Sequence, residues 1–295
     1  MMIIIFGLLG AIFGSFVGAQ VWRLRARQLK EDQQAGEKVD KKEMKRLSHL
    51  LKKNVRSDRS RCLHCSHVLA WYDLIPLVSW FSLMGRCRYC KKFIGWTEIF
   101  LEVILAILFA VSFMFWPDGL TNIWQGVLLT LWLVGLVLLA ALFVYDLKWM
   151  LLPDKINIPF IIVGAVFAAV KLSLAGDFGE SLMSLFGSLA ILSGIYALLY
   201  LFSRIRYGED GTWIGFGDVK LGLGLALFLG NWMMAFLALF AANLIGTLLV
   251  LPSMLRGKLK GNSRIPFGPL LIVGFLIAWF FGPTISSWLM LSYVI

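Results

Sequence analysis

Of the 295 residues, 59% are hydrophobic and only 15% charged, and the mean hydropathy is +0.81. A soluble domain carries about a quarter charged residues, and no soluble core could hide this much apolar surface. The net charge of +11 sits in segments flanking apolar runs and lacks an interleaved aromatic array, which excludes a nucleic-acid surface and points to anionic lipid head groups.

Charge-poor runs recur near the roughly 20 residues a helix needs to cross the hydrocarbon. In chain order they predict helices near 2–22, 97–116, 123–145, 157–175, 181–203, 218–231, 232–254 and 267–290. The fold class is therefore an all-α polytopic membrane protein of about eight transmembrane helices. Three segments are expected: a first transmembrane helix, 1–22; a basic cytoplasmic insert, 23–96; and a multi-helix membrane domain, 97–295. The shortest run is divided from its neighbour at Gly230-Asn231. With the N-terminus outside, 27 of the 28 Lys and Arg residues then fall on the cytoplasmic side, and Lys171 can snorkel from a helix end. Fusing 218–254 into one helix would carry the Arg256–Arg264 cluster outside. The first helix has no charge ahead of its apolar run and no convincing cleavage site, so it reads as a retained anchor.

Within the insert, Arg23 to Arg61 is rich in charge and amide groups and reads as a mobile or helical charged stretch. Next come Cys62-Leu63-His64-Cys65 and Cys87-Arg88-Tyr89-Cys90, separated by 21 residues. Two C-x-x-C pairs so spaced form knuckles that present four thiolates to a tetrahedral ion, here structural Zn²⁺, against the alternatives of redox pairs or unligated thiols. A cytoplasmic placement disfavours disulfides. The four thiolates fill the shell and leave His64 and His67 on the surface. Trp71-Tyr72-Asp73-Leu74-Ile75-Pro76 and Trp80-Phe81 read as an apolar patch that packs the knuckles onto the membrane domain.

In so apolar a chain, a carboxylate near the end of a spanning helix is a functional candidate. Glu102, Asp146, Asp154 and Asp218 qualify. Asp218 stands in Gly215-Phe216-Gly217-Asp218, where the glycines permit an unusual turn and close approach, although a loop with Asp218 as helix N-cap explains the string equally well. Asp146 ends another spanning helix on the same face. Two such carboxyls sharing a proton can activate water for amide hydrolysis. The chain has no H-E-x-x-H string, and its three histidines all lie in the insert, which removes zinc-protease and histidine-based nucleophile chemistry from the membrane domain.

Taken together, these residues resemble the prepilin peptidases, GxGD intramembrane aspartic peptidases that process type IV prepilins and type II secretion pseudopilins. The likeness runs through Gly14-Ser15-Phe16, the paired knuckles with their Trp-Tyr-Asp-Leu-Ile-Pro, Gly85-Arg86-Cys87, Glu102, Asp146 to Asp154, Asp218 and Ile265-Pro266-Phe267-Gly268-Pro269. It implies cleavage of a basic leader at the cytoplasmic face of the bacterial inner membrane by Asp146 and Asp218. It also implies N-methylation of the new terminus with S-adenosylmethionine, by residues the motifs do not name. A peptidase without the methyl transfer, and a cation- or proton-coupled transporter using the same aspartates, are the alternatives. Two features depart from the family pattern: a long stretch from Arg23 to Arg61, and Leu63 where proline is common.

Overall fold

Backbone amides in lipid must find partners within the chain, and the chain is built accordingly. A computed structural model describes residues 1–51, 59–117, 119–208, 214–257 and 266–292. Among them there are helices and turns but no strand, only two isolated bridges, Arg61–Val68 and Arg86–Phe93. Two compact units result, Met1–Trp116 and Pro117–Ile295. Seven helices are long and apolar enough to cross a membrane.

In the first unit, α1 (Met2–Gln34) does not stop near residue 22 but continues for 33 residues, carrying Arg23, Arg25 and Arg27 on the same helix. Polar side chains end an apolar run without ending a helix. Asp40 then caps α2 (Lys41–Leu47) by accepting from the amides of Lys42 and Glu43. That helix folds back on α1 through Ala26, Leu29, Leu47 and Leu50, and Arg25 pairs with Glu43 at 2.9 Å. The described part of the charged stretch is thus a packed helical hairpin. A short α3 (Val78–Ser82) follows the first knuckle, and α4 (Thr97–Met114) returns along α1.

Lipid supplies no hydrophobic force to join two apolar helices, so they associate where small residues let backbones meet. Gly10, Gly14 and Gly18 recur every fourth residue on α1. A Cβ on Gly10 would strike the Leu105 carbonyl, and one on Gly14 would lie 2.6 Å from both Leu101 O and Glu102 Cα. This packing puts α4 in the first unit. Hydropathy alone grouped residues 97–116 with the later helices, because it carries no record of which helices touch.

The second unit contains α5 (Ile123–Trp149), α6 (Asp154–Ser173), α7 (Phe178–Leu189), α8 (Ile195–Tyr207), α9 (Phe216–Leu229), α10 (Trp232–Leu255) and α11 (Gly268–Ser292). The helices α7 and α8 form one span, Phe178–Tyr207, interrupted by a π turn at Ala190–Gly194. The sixth of the eight expected helices, α9, has 14 residues and is not among the seven long enough to cross. The expected break follows it: Gly230 is left-handed at φ 61°, and the Asn231 side chain caps α10. Lys171, expected to snorkel from a helix end, is exposed in the last turn of α6 and donates to the Leu229 carbonyl at the end of α9, at 3.4 Å. Of the basic cluster after α10, Arg256 is described, and Lys258, Lys260 and Arg264 lie outside the described residues.

The core of this unit is aromatic. Phe228 of α9 is fully buried, 5.3 Å from the Phe160 ring and 5.1 Å from the Phe167 ring, both on α6. Gly135 of α5 leaves it room, since a Cβ there would lie 2.5 Å from the ring. Trp132 of α5 stacks on Trp279 of α11 at 3.9 Å. On the other side of α9 a Cβ on Gly222 would strike the Leu192 carbonyl in the π turn, and the hydroxyls of Ser188 and Ser193 donate to Ala226 O and Val219 O.

The α1–α4 contact leads to a stability prediction. Gly14→Ala should cost about 1–3 kcal/mol because the methyl meets backbone, which cannot step aside. Gly126→Ala on α5, with nothing within 4 Å of the added atom, should be neutral or slightly stabilising. Thermal unfolding in detergent checks the pair, and equal midpoints would reject the α1–α4 packing described above.

Candidate functional site

The four cysteines expected to hold a metal lie in the first unit, and two knuckles with the same local structure build the cluster. In the first, the Cys62 amide donates to His67 O and Ser66 N returns to Cys62 O. In the second, Cys87 donates to Lys92 O and Lys91 N returns to Cys87 O. Ser66 and Lys91 hold matching left-handed φ values of 59° and 57°, and the Arg61–Val68 and Arg86–Phe93 bridges close each loop. The four sulfurs lie within 4.8 Å of one another, with Cys62 and Cys90 at 3.9 Å. Sulfurs around a tetrahedral ion with bonds near 2.3 Å are roughly 3.8 Å apart, so the donor set fits one. Burial pushes the Cys62 thiol up to about 12, while the Lys92 amide draws Cys90 below its ordinary value. The histidines stay out of the cluster, and the His67 ring rests against Tyr89 at 3.7 Å.

The apolar patch between the knuckles is only partly packed. Trp80 donates to Gly95 O at 3.3 Å and lies against Trp96, but Trp71 and Phe81 are 74% and 65% exposed. Burial alone would raise Asp73. The Arg88 guanidinium at 2.8 Å, the Ala70 amide and the Tyr89 hydroxyl outweigh it and hold that carboxyl low. Glu102, a buried carboxylate at 7% exposure, accepts from the Leu77 amide at 2.7 Å. It belongs to this unit and not with the aspartates.

Asp146 and Asp218 both belong to the second unit. Asp146 lies in the last turn of α5, which continues to Trp149 and closes on Met150 in the left-handed region with its N–H on Asp146 O. The Asp146 side chain is 5% exposed, and its Oδ2 has no hydrogen-bond partner among the described residues. Asp218 is in the first turn of α9, where Gly215 and not Asp218 occupies the N-cap. Neither Gly215 nor Gly217 takes the unusual φ its sequence context suggested. Gly217 serves close approach instead: a Cβ there would lie 2.9 Å from Leu152 Cβ. The two carboxyls interact electrostatically. Between their helices sits Gly268, the first residue of α11. A Cβ on it would meet Asp146 Oδ2 at 2.6 Å and Leu221 Cδ2, on α9, at 3.5 Å.

Around this pair stand residues that sequence reasoning passed over. Asn157, fully buried on α6, donates from Nδ2 to Gly217 O at 3.1 Å and so ties α6 to the start of α9. Tyr196 of α8, 5% exposed, lies within electrostatic reach of Asp218 and packs against Phe267. An Asn or Tyr inside an apolar run was the available signal, but it does not say which helix the side chain faces. Asp154 is the first residue of α6, and its carboxylate holds the Lys220 ammonium at 2.6 and 2.8 Å across to α9.

Residues 8–116 match the model of the bacterial peptidase A24 N-terminal domain, and residues 133–251 match that of the type IV leader peptidase family. A prepilin leader peptidase/N-methyltransferase of Aeromonas hydrophila is 31% identical over 241 residues, covering 82% of this chain and 78% of the relative. The chain belongs to the type IV leader peptidase family. Proteins of the same description from Pectobacterium carotovorum and Dichelobacter nodosus are 30% and 28% identical, over 91% and 95% of this chain and 89% and 92% of their own. No solved structure matches. The two family models meet the two structural units separately: cysteines and Glu102 in one, both aspartates in the other.

In this leader peptidase Asn157 holds the backbone beside Asp218, so Asn157→Ala should lower stability by about 1–3 kcal/mol, the cost of a buried carbonyl left without its donor. Thermal unfolding of the purified variant measures it; an unchanged midpoint would mean Gly217 O finds another donor.

Proposed function

We propose that the chain is an intramembrane aspartic endopeptidase that removes the basic leader of a prepilin or pseudopilin at the cytoplasmic face of the bacterial inner membrane, with Asp146 and Asp218 as the catalytic pair. The observation that carries this is a pair of carboxyls, on α5 and α9 of one unit, close enough to act on one another electrostatically, one of them buried with an orphaned oxygen. A buried acceptor without a donor is costly. It is satisfied when the pair shares a proton or holds a water between them.

In that arrangement one carboxylate takes a proton from the water, whose oxygen forms a bond to the scissile carbonyl carbon, while the partner carboxyl gives its proton to the carbonyl oxygen. The tetrahedral product then collapses. The C–N bond breaks as nitrogen is protonated, and the carboxyls return to one shared proton. Gly268 leaves Asp146 room for this, and Asn157 with the Asp154–Lys220 pair holds the start of α9 against α6. The basic residues flanking the helices seat the enzyme on anionic lipid and favour the cytoplasmic orientation.

The same reading gives the chain a second step, N-methylation of the exposed amine. When bound, S-adenosylmethionine would supply the methyl group as an electrophilic sulfonium, and the amine that accepts it must be neutral and give up a proton once methylated. The four-cysteine cluster is proposed to hold a structural Zn²⁺, which supports the insert and takes no part in cleavage.

Purified protein incubated with a prepilin, with products weighed in the presence and absence of S-adenosylmethionine, tests both activities. Asp146→Asn and Asp218→Asn should each lower cleavage by about a thousandfold or more, and Asp154→Asn should retain measurable activity because its ion pair is half exposed. Gly268→Ala should fall between them, since its methyl displaces the Asp146 carboxyl. Full cleavage by either Asn variant would end the dyad assignment. Metal analysis should return about one zinc per chain, lost in Cys62→Ser/Cys65→Ser together with resistance of the insert to proteolysis. An active preparation free of zinc would remove the metal from the proposal.

A further inference from the structure

A row of aromatic rings beside the second knuckle takes no part in the cleavage or metal chemistry proposed above. Phe81, Trp80, Trp96 and Phe100 follow one another with ring centroids 5.5, 5.2 and 6.2 Å apart, and Phe93 joins the row 5.7 Å from Trp96. Phe81, Trp96 and Phe100 are each more than half exposed, and so are Val78 and Met84 on and beside α3. An exposed apolar patch of this kind marks a contact with a membrane or another protein.

The exposure is built in. Leu77 and Met84 take φ values of 62° and 50° on either side of α3, which residues with side chains rarely adopt. Glu102 of α4 accepts from the Leu77 amide, and the Trp80 indole donates to Gly95 O, so α3 is pinned to the start of α4. Gly85 lets two rings of the row close in, since a Cβ on it would lie 2.8 Å from Trp80 and 2.9 Å from Phe93.

Two observations say what covers the row. Phe100 carries it onto α4, where Phe100, Ile104 and Ile107 form one exposed apolar face. On a helix long and apolar enough to cross a membrane, such a face meets lipid, and the row continues it past the start of the helix. Aromatic rings concentrate at that depth, among the head groups. The second observation is charge. From Gly85 to Gly95 the knuckle carries Arg86, Arg88, Lys91 and Lys92 and no carboxylate. Asp73 takes Arg88, whereas Arg86, Lys91 and Lys92 are exposed and have no carboxylate partner among the described residues. Cations beside interfacial rings complement anionic head groups.

We propose that α3 and the second knuckle form a membrane-docking surface: Phe81, Phe93 and Trp96 lie in the interface of the leaflet that α4 enters, and Arg86, Lys91 and Lys92 hold the phosphates of anionic lipids. The insert is thereby laid on the bilayer by its own residues, whatever reaction the second unit performs.

The test uses the full chain in nanodiscs of phosphatidylglycerol and phosphatidylcholine in equal parts, with Phe81→benzoylphenylalanine as a photo-crosslinker and Lys38→benzoylphenylalanine, beyond the end of α1, as the control. Mass spectrometry after irradiation should find lipid adducts on the Phe81 variant and few or none on the control, with phosphatidylglycerol favoured by about threefold or more. Adding Arg86→Gln/Lys91→Gln/Lys92→Gln should remove that preference and keep the lipid adducts, with the unfolding midpoint unchanged because these side chains are exposed. Adducts confined to protein, whether a second copy or the Pro117–Ile295 unit, would overturn the proposal. An even split between the two lipids before the cations are removed would do the same.

Discussion

Close approach of helix backbones is the constraint on which this structure depends. Apolar side chains give no net gain by leaving lipid for one another, so helices are held where glycine permits contact at backbone distance. The positions that do this are also those that form the sites. Gly14 brings α1 against Glu102, Gly222 seats α9 against the π turn of the α7–α8 span, and Gly268 lets the first turn of α11 sit on Asp146. In each case a side chain as small as alanine's would push apart the elements that hold one of the carboxylates Glu102, Asp218 or Asp146. Glycine here sets distance more than it supplies unusual backbone angles: neither glycine beside Asp218 has a positive φ.

The two units carry different chemistry on different physical footings. The N-terminal unit keeps its cysteine knuckles by local turns that need only a few residues each, and the proposed ion would join two short loops that bury too little surface to fold alone. The second unit has no such local device. Asp146 and Asp218 are 72 residues apart in sequence, and the proposed dyad requires α5, α6, α9 and α11 to pack in one arrangement, with the Phe228 cluster and the Asn157 tie fixing α9 against its neighbours. A defect anywhere in that aromatic core therefore reaches the aspartates, whereas a defect in a knuckle stays local.

What was legible in the sequence follows the same division. The cysteine cluster could be read because C-x-x-C spacing encodes the geometry of its own site, and Asp146 and Asp218 stood out because charge in an apolar run is costly. The break at Gly230-Asn231 could be read from charge placement. The course of α1 to Gln34 could not, since Arg23, Arg25 and Arg27 mark the end of an apolar run and say nothing about the end of a helix. Nor could the partnership of α4 with α1, the tie from Asn157 to Gly217 or the pairing of Asp154 with Lys220. These are long-range contacts between residues whose local context is unremarkable, and no periodicity records them.

The length of α9 has a consequence for the surrounding lipid. At 14 residues it extends about 21 Å, against roughly 30 Å of hydrocarbon. Placed across a bilayer, a helix this short would leave about 9 Å of mismatch, to be absorbed by thinning or by letting head groups and water sink toward the helix ends. Lys171, reaching the Leu229 carbonyl, is a charge suited to such a dimple, since it can satisfy the exposed backbone end and still touch water. A thinned patch of membrane also shortens the path by which water from the aqueous phase meets the first turn of α9. The hydrolysis proposed for this site depends on that supply, and a short helix would provide it through the shape of the bilayer without opening a channel through the protein.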